Sequence, residues 1–276
     1  MRRILVTLRP AYSACKGARS SAIGEMEEHV LSLLCDPDTR YALERAGSNL
    51  RNTATGRIYP IRDGIPLFVS TVTGPNLKYQ TLYDRIAPGY DLAERLYHWF
   101  RRKPNYRHEF ISELEIKPHA RVLEVSVGTG ANLRFLPHDI DFYGIDISWG
   151  MLHKCEQNLL KWRRKANLFQ AEAERLPFKV GAFDCVFHAG GINFFTNKAR
   201  AIKEMIWVAK PGTKIVIVDE TERTVRDSYQ RTPAADTRAN PERVRCPIDL
   251  VPSEMKDVTA REICGGKLFC LTFRKP

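Results

Sequence analysis

Between Arg121 and Glu220 the chain alternates short apolar runs with amphipathic stretches, and this alternation constrains its fold more than any other feature. "ARVLEVSV" is short, rich in β-branched residues and almost continuously apolar, the pattern of a strand buried on both faces. "DFYGIDIS" reads as a second strand and "ANLFQAEAERLPF" as a third with its loop. "AFDCVFHAGGINFF" reads as a fourth strand with its loop and "TKIVIVDE" as a fifth. Between them, "GTGANLRFL", "MLHKCEQNLLKWRR" and "KARAIKEMIWVAKPG" read as helices, the last closed by Pro-Gly. Strands and helices in this order predict a parallel sheet with right-handed crossovers. Such a sheet takes its ligand beyond the carboxyl ends of its strands, where the strand order reverses.

The turn after the first strand narrows the ligand. A dinucleotide fingerprint is G-x-G-x-x-G, whose third glycine permits close helix–strand packing beside a pyrophosphate. Gly128 and Gly130 supply two glycines, but Leu133 stands third, which argues against NAD or FAD. The order acid-x-small-x-Gly-x-Gly, with Glu124, Ser126, Gly128 and Gly130, is similar to motif I of class I S-adenosylmethionine-dependent methyltransferases. That family usually has Gly where Ser126 stands. More of its pattern follows in register. Asp146, 22 residues after Glu124, matches the carboxylate that accepts from the ribose hydroxyls. "DISWGML" matches the segment near the adenine, with Trp149 to Leu152 able to pack there. Glu172 matches the acceptor for the adenine amine, and Ala173 a residue that offers its backbone N–H. The end of "FDCVFHAG" would lie against the methionine part.

The resemblance therefore implies S-adenosyl-L-methionine as cofactor. Its expected contacts are Tyr83, Glu124, Ser126, Gly128, Gly130, Asp146, Ile147, Met151, Glu172, Ala173 and His188. It implies an α/β fold, a doubly wound, mostly parallel, seven-stranded Rossmann-like sheet. "EMKDVTAREICGGKLFCLTFRKP", read as strand, Gly-Gly turn and strand, would be its C-terminal antiparallel hairpin.

Four segments are expected. Residues 1–25, "MRRILVTLRPAYSACKGARSSAIGE", are Arg- and Ser-rich and nearly free of acids. They read as an extension outside the fold, or as a mitochondrial-type targeting segment if the source is eukaryotic. Met26 begins a natural-looking domain start. Residues 26–72 resemble the small zinc-ribbon-like domain of the methyltransferase activators, most specifically in "YPIRDGIPLF", Tyr59 to Phe68. The metal form needs four thiolates. Here Cys35 alone remains, Thr39 stands near its partner's place, and "NTATG" replaces the second pair. The expectation is a β-rich ribbon without metal, held by Leu33, Leu34, Ile58, Ile61, Ile65 and Leu67. Residues 73–118 are predicted helical, with Tyr79, Tyr83, Ile86, Tyr90, Leu92, Leu96, Trp99 and Phe100 as a core-facing stripe. Residues 119–276 form the cofactor-binding domain, with an acceptor-side insert over 221–250.

Within the predicted helical segment, "LYDRIAPGYDLAERL" resembles the N-terminal lid of the ubiquinone/menaquinone-biosynthesis C-methyltransferase family, as does "AERLPF". In that family the Tyr-Asp pair closes over the cofactor; Tyr83, Asp84, Tyr90 and Asp91 match, flanking an expected turn at Pro88-Gly89. The resemblance implies C- or O-methylation of a small aromatic, quinone-like or natural-product acceptor. The acceptor pocket is expected to draw on the lid, on "HAGGINFF" and on the insert. Methyl transfer from a sulfonium is in-line displacement and depends chiefly on positioning. A base is needed only if the acceptor must lose a proton. His188, Glu220, Tyr83 and Tyr90 are the candidates, and for His188 a strand-end histidine bonded to backbone is the competing reading.

Charge bears on the partner. The net charge is +11, but five cations against one acid fall in residues 1–25. The insert carries six arginines and five acids, which is no nucleic-acid stripe. "KWRRK", Lys161 to Lys165, falls where a helix should end, and cations suit the dipole there. An rRNA or tRNA methyltransferase is the alternative reading, and a non-catalytic S-adenosylmethionine-binding protein the second. Seven scattered cysteines with no C-x-x-C pair point to reduced thiols and a cytoplasmic setting.

Overall fold

A computed structural model of the protein describes residues 26–69, 74–101, 107–229 and 244–276. The expected extension over 1–25 and the middle of the insert, 230–243, lie outside the described residues. So do the side chains of Leu92, Leu96, Trp99 and Phe100.

The five expected parallel strands form. They are β5 (Arg121–Val125), β6 (Asp141–Asp146), β7 (Asn167–Gln170), β8 (Cys185–Ala189) and β9 (Lys214–Glu220). The C-terminal segment supplies β10 (Lys256–Ile263) and β11 (Leu268–Arg274) as an antiparallel hairpin. The seven strands run in the order β10-β11-β9-β8-β5-β6-β7, with β11 antiparallel to β9. After β5 the chain builds outward through β6 and β7, then returns to add β8 and β9 on the other side. The reversal lies between β5 and β8, at their carboxyl ends. Two apolar clusters cover the two faces. One contains Leu123, Val125, Tyr143, Ile145 and Phe183; the other contains Val122, Leu133, Phe142, Phe187 and Val218.

Helix α4 (Trp149–Trp162) starts at Ser148, whose hydroxyl accepts from the Met151 N–H, and ends within "KWRRK" with Arg163 left-handed. Helix α5 (Lys198–Val208) is capped by Asn197. The helix expected after "GTG" is only a 3-10 turn over Ala131–Phe135. Gly130 enters it at φ 78°, and Leu136, before Pro137, leaves it in extended backbone, which confines the turn to these five residues. The insert opens with α6 (Glu222–Tyr229).

The N-terminal segment folds as α1 (Glu28–Leu33) and four short strands: β1 (Leu43–Ala46), β2 (Asn49–Asn52), β3 (Ile58–Arg62) and β4 (Ile65–Pro66). They form one antiparallel sheet in sequence order. It shares its core with the larger domain: Val30, Leu33, Leu34, Leu50, Tyr59 and Phe68 join the same buried cluster as Phe169, Phe178 and Phe183. Beyond β4 the chain continues the main sheet, with Leu67 opposite Gln170 and the Phe68 N–H donating to the Gln170 carbonyl at 2.8 Å. This bridge covers the Gln170 end of the β7 edge.

Cys35 bridges Ala42 just before the loop that begins at Asp36. It is buried, and its N–H bonds the Pro177 carbonyl. The next residue, Asp36, takes the loop centre. Its carboxylate accepts from the N–H groups of Asp38 and Thr39, from Asn52 Nδ2 at 2.6 Å and from Tyr59 Oη at 2.7 Å. Asn52 turns its other atom to the second loop, accepting from the N–H groups of Ala54 and Thr55. Two facing loops are thus joined by hydrogen bonds through Asp36 and Asn52.

Helix α2 (Gly74–Arg101) is continuous through Pro88 and Gly89, where a turn was expected. A proline inside a helix costs about 3 kcal/mol because it removes a hydrogen bond and crowds the preceding turn. Here the helix is pinned to α4 on both sides of it. Asp84 accepts from Ser148 and Gly150, and Asp91 accepts from Asn158 Nδ2 at 2.7 Å. These aspartates are seven residues apart, so they share a face.

Candidate active site

A cavity of about 800 Å³ opens beyond the carboxyl ends of β5, β6, β8 and β9. Its floor begins at the turn after β5. Ser126 has φ 63° and Gly128 φ 55°, a left-handed path that folds the backbone back over the strand ends. A serine carries a Cβ penalty there that glycine would not. Ser126, Gly128 and Thr129 line the cavity; Gly130 does not. Gly130 instead packs against α4, where an added Cβ would stand 2.7 Å from Cys155 Sγ. It serves turn packing, not ligand approach.

Asp146 ends β6 and lines the cavity. One carboxylate oxygen accepts from the Gly128 N–H at 2.9 Å and the other from the Ser148 N–H at 2.9 Å. Burial, with Asp84 nearby, pushes its pKa up to about 6, against the pull of those amides. Ile147, Met151 and Ala173 line the same region. Glu172 does not. Its carboxylate is taken by Arg175, which also reaches Asp38 of the N-terminal sheet at 3.3 Å. On this loop the cavity is lined by Ala171, Ala173 and Glu174 instead. Sequence reasoning passed over Glu174, because the identity of the inward residue depends on where Arg175 finds its partner.

Glu124 lies at the bottom of the cavity and is fully buried. Its Oε1 accepts from Asn132 Nδ2 at 2.6 Å, and its Oε2 has no hydrogen-bond partner. Burial pushes its pKa up to about 8, with Asn132 and Arg107 pulling the other way. Asn132 Oδ1 in turn accepts from Arg107 Nε at 2.8 Å. Neither Asn132 nor Arg107 was marked by sequence reasoning. The eight-residue gap from Glu124 to Asn132 has meaning only once the 3-10 turn folds back beside β5.

His188 stands apart from its expected role. It is fully buried and does not line the cavity. Its ring lies against Phe195 with centroids 5.1 Å apart. Nδ1 is 2.8 Å from the Val125 carbonyl, which can only accept, so Nδ1 carries the proton. Burial holds the ring's pKa below its usual value, against the pull of Asp219. It is a neutral histidine behind the wall, out of reach of an acceptor. Tyr83 and Glu220 do line the cavity.

The roof is α2. Of the stripe that was expected to face the core, Tyr79, Tyr83, Ile86 and Tyr90 line the cavity instead, and Leu82 lines it with them. Tyr79 lies on Phe194 with centroids 4.6 Å apart, and Asn76 bonds Thr196 at 2.8 Å. The far end is walled by Gly190, Gly191, Phe194 and Phe195, then Glu220, Thr224, Cys264, Lys267 and Leu268. Among the described residues, no group of three or more His, Cys, Asp or Glu side chains could hold a metal ion, and no helix is long and apolar enough to cross a membrane.

Residues 122–212 match the family model described as a methyltransferase domain. The core is a class I S-adenosylmethionine-dependent methyltransferase domain. Over 148 residues the chain is 30% identical to the ubiquinone/menaquinone biosynthesis C-methyltransferase UbiE of Geotalea daltonii, covering 51% of this chain and 63% of that one. Over 154 residues it is 29% identical to a demethylmenaquinone methyltransferase of Lactiplantibacillus plantarum, covering 52% and 62%. The match thus spans less than two thirds of these relatives. In fold the chain is similar to the PH0226 protein of Pyrococcus horikoshii, with a TM-score of 0.53, 16% identity, and coverage of 64% of this chain and 92% of that one.

The residues present fit the cofactor of this domain class. A left-handed turn passes under the cavity, a carboxylate ends β6, and a buried carboxyl oxygen on Glu124 awaits a donor.

Proposed function

We propose that the protein transfers a methyl group from S-adenosyl-L-methionine to a small, apolar, aromatic or quinone-like acceptor. One observation carries this reading. The cavity runs without a break from the glycine turn to an end walled by Tyr79, Phe194, Phe195 and Leu268 beneath α2. Its volume lies in the upper part of the roughly 300–1,000 Å³ range of small-molecule sites. The cofactor, when bound, supplies the electrophilic sulfonium methyl. Everything else falls to the chain. Asp146 and Met151 hold the nucleoside part, and Glu124 the amino-acid part. The aromatic roof and far wall orient the acceptor and exclude water, which strengthens electrostatic effects inside. If the acceptor loses a proton, Tyr83, Tyr90 and Glu220 are the sequence candidates that line the wall to take it. The two curated relatives support the acceptor class, since both are named for quinone methylation.

The test is incubation of the protein with methyl-labelled S-adenosylmethionine and a cell extract, followed by separation into RNA, protein and organic-soluble fractions. Label in the organic fraction is expected. Label in RNA would replace the small-molecule reading by the nucleic-acid one, and label nowhere would favour a non-catalytic binder.

A further inference from the structure

The end of helix α4 carries a surface that neither the core nor the cavity explains. Leu160 stands in its last turn, next to the buried Leu159, and is 81% exposed, more than any other large apolar side chain among the described residues. Around it lie Lys161, Arg163 and Lys165, all exposed. Arg164 folds back and donates to the Leu136 and Pro137 carbonyls, which fastens this end of α4 to the loop after the 3-10 turn. That turn brings a further exposed cation, Arg134, whose guanidinium lies 5.2 Å from the centre of the half-buried Trp162 ring. The short helix α3 (Arg107–Ile111) steadies the turn, with His108 edge-on to Phe135 at 5.7 Å between centroids. Among the described residues Arg134, Lys161, Arg163 and Lys165 have no carboxylate partner.

A helix C-terminus favours cations, but only within its last turn. That effect asks for no exposed leucine, and Arg134 belongs to another segment. Unpaired cations around an exposed aliphatic side chain and an indole suit a membrane surface. The cations meet anionic headgroups, and the apolar groups enter the boundary with the acyl chains. A nucleic acid would use the cations and the indole but gain nothing from Leu160. We propose that this patch docks the protein onto an anionic lipid bilayer. The protein then lies on the membrane, and no helix among the described residues is long and apolar enough to cross it. None of Arg134, Leu160, Lys161, Trp162, Arg163 and Lys165 lines the cavity, so the docking does not depend on the methyl-transfer reading.

The test is flotation of the full chain with vesicles of phosphatidylcholine alone, and of phosphatidylcholine mixed with about one third of the anionic lipid phosphatidylglycerol. Binding is expected to be about tenfold or more tighter to the mixed vesicles and to weaken as salt rises. Lys161→Gln, Arg163→Gln and Lys165→Gln together should weaken it about tenfold or more, and Leu160→Ser several-fold. Lys117→Gln, Lys203→Gln and Lys256→Gln together remove the same charge from exposed positions elsewhere and should leave binding within about twofold. All these side chains are exposed, so the melting temperatures should not move. Equal binding to both kinds of vesicle, or binding to neither, would overturn the docking. So would an equal loss in the control variant, because net charge alone would then attract the lipid. Unchanged vesicle binding in Leu160→Ser would also overturn it, and loss of tRNA binding in the patch variant would then make this surface a nucleic-acid contact.

Discussion

Asp84, on helix α2, accepts a hydrogen bond from Ser148 Oγ at 2.5 Å, and the Ser148 N–H donates to Asp146 at 2.9 Å. Asp146 then holds the Gly128 N–H with its other oxygen. A four-residue chain thus runs from the roof of the cavity through the cap of α4 to the glycine turn. It accounts for the match of Asp84 to a lid aspartate without requiring that this carboxylate touch the ligand. Asp84 sits at the positive end of α4, where a carboxylate is favoured.

Removing that carboxylate should affect both the roof and the site. Asp84→Ala is expected to lower stability by about 1 kcal/mol, as loss of a helix cap does. It should also weaken binding of S-adenosylhomocysteine several-fold, because Ser148 no longer holds Asp146. Denaturant unfolding and calorimetry measure the two effects. Unchanged ligand affinity with lowered stability would restrict Asp84 to packing.

Asp146, which ends β6 and lines the cavity, is the proposed ribose contact. Asp146→Ala should cost about 1.5–3 kcal/mol of binding free energy for S-adenosylhomocysteine, the scale of hydrogen bonds to a charged group. S-adenosylhomocysteine should raise the wild-type melting temperature and NAD should not. Stabilisation by NAD alone would remove the methyltransferase assignment.

Ser126 occupies a backbone conformation that glycine adopts freely. Its Cβ costs about 1–2 kcal/mol at positive φ, and part of this is offset by the entropy a glycine loses on folding. Ser126→Gly is therefore expected to raise stability by about 1 kcal/mol or less. A lower melting temperature would mean that the serine hydroxyl makes a compensating bond.

Two of the buried carboxyl groups, Glu124 and Asp36, give opposite pH signatures. Glu124 has a folded pKa near 8, above its ordinary 4.5, so the folded state holds its proton more tightly. Stability should fall as pH rises from about 4.5 to about 8. Asn132, Arg107, Asp146 and Cys155 are the polar or titratable groups that act on it. Glu124→Gln removes this component, and its unfolding free energy should be flatter across that window. An unchanged pH profile in the variant would show that Glu124 is ionised in the folded protein.

Asp36 behaves in the reverse sense. Burial alone would raise its carboxyl, but Asn52, Tyr59 and two backbone amides outweigh burial and hold it at about 2. Its stabilisation is present above about pH 4 and is lost as pH falls towards 2. Asp36→Ala leaves Asn52 and Tyr59 with unsatisfied buried donors, each costing about 1–3 kcal/mol. The whole chain should unfold together, since the N-terminal sheet shares the main core. Chelator should leave the wild-type melting temperature unchanged; a shift, with about one zinc per chain by elemental analysis, would overturn the metal-free account.

The local code of the chain determined the parallel strands, the hairpin and the helices α4 and α5, because period and propensity act over a few residues. It also determined the glycine turn and Asp146, whose spacing is set by one strand–turn–strand unit. Partner choice was not local. Glu172 turns to Arg175, which reaches Asp38 across 137 residues. His188 spends its Nδ1 proton on Val125 of a neighbouring strand. Asp36, not Cys35, centres its loop because Asn52 and Tyr59 meet it there. Helix α2 passes through Pro88 because Asp84 and Asp91 are held by α4. Its aromatic stripe looks like a core face in sequence, and only the hollow beneath it turns the stripe into a cavity roof. In each case a short-range pattern named a residue's type, and a contact made by a distant segment decided what the residue does.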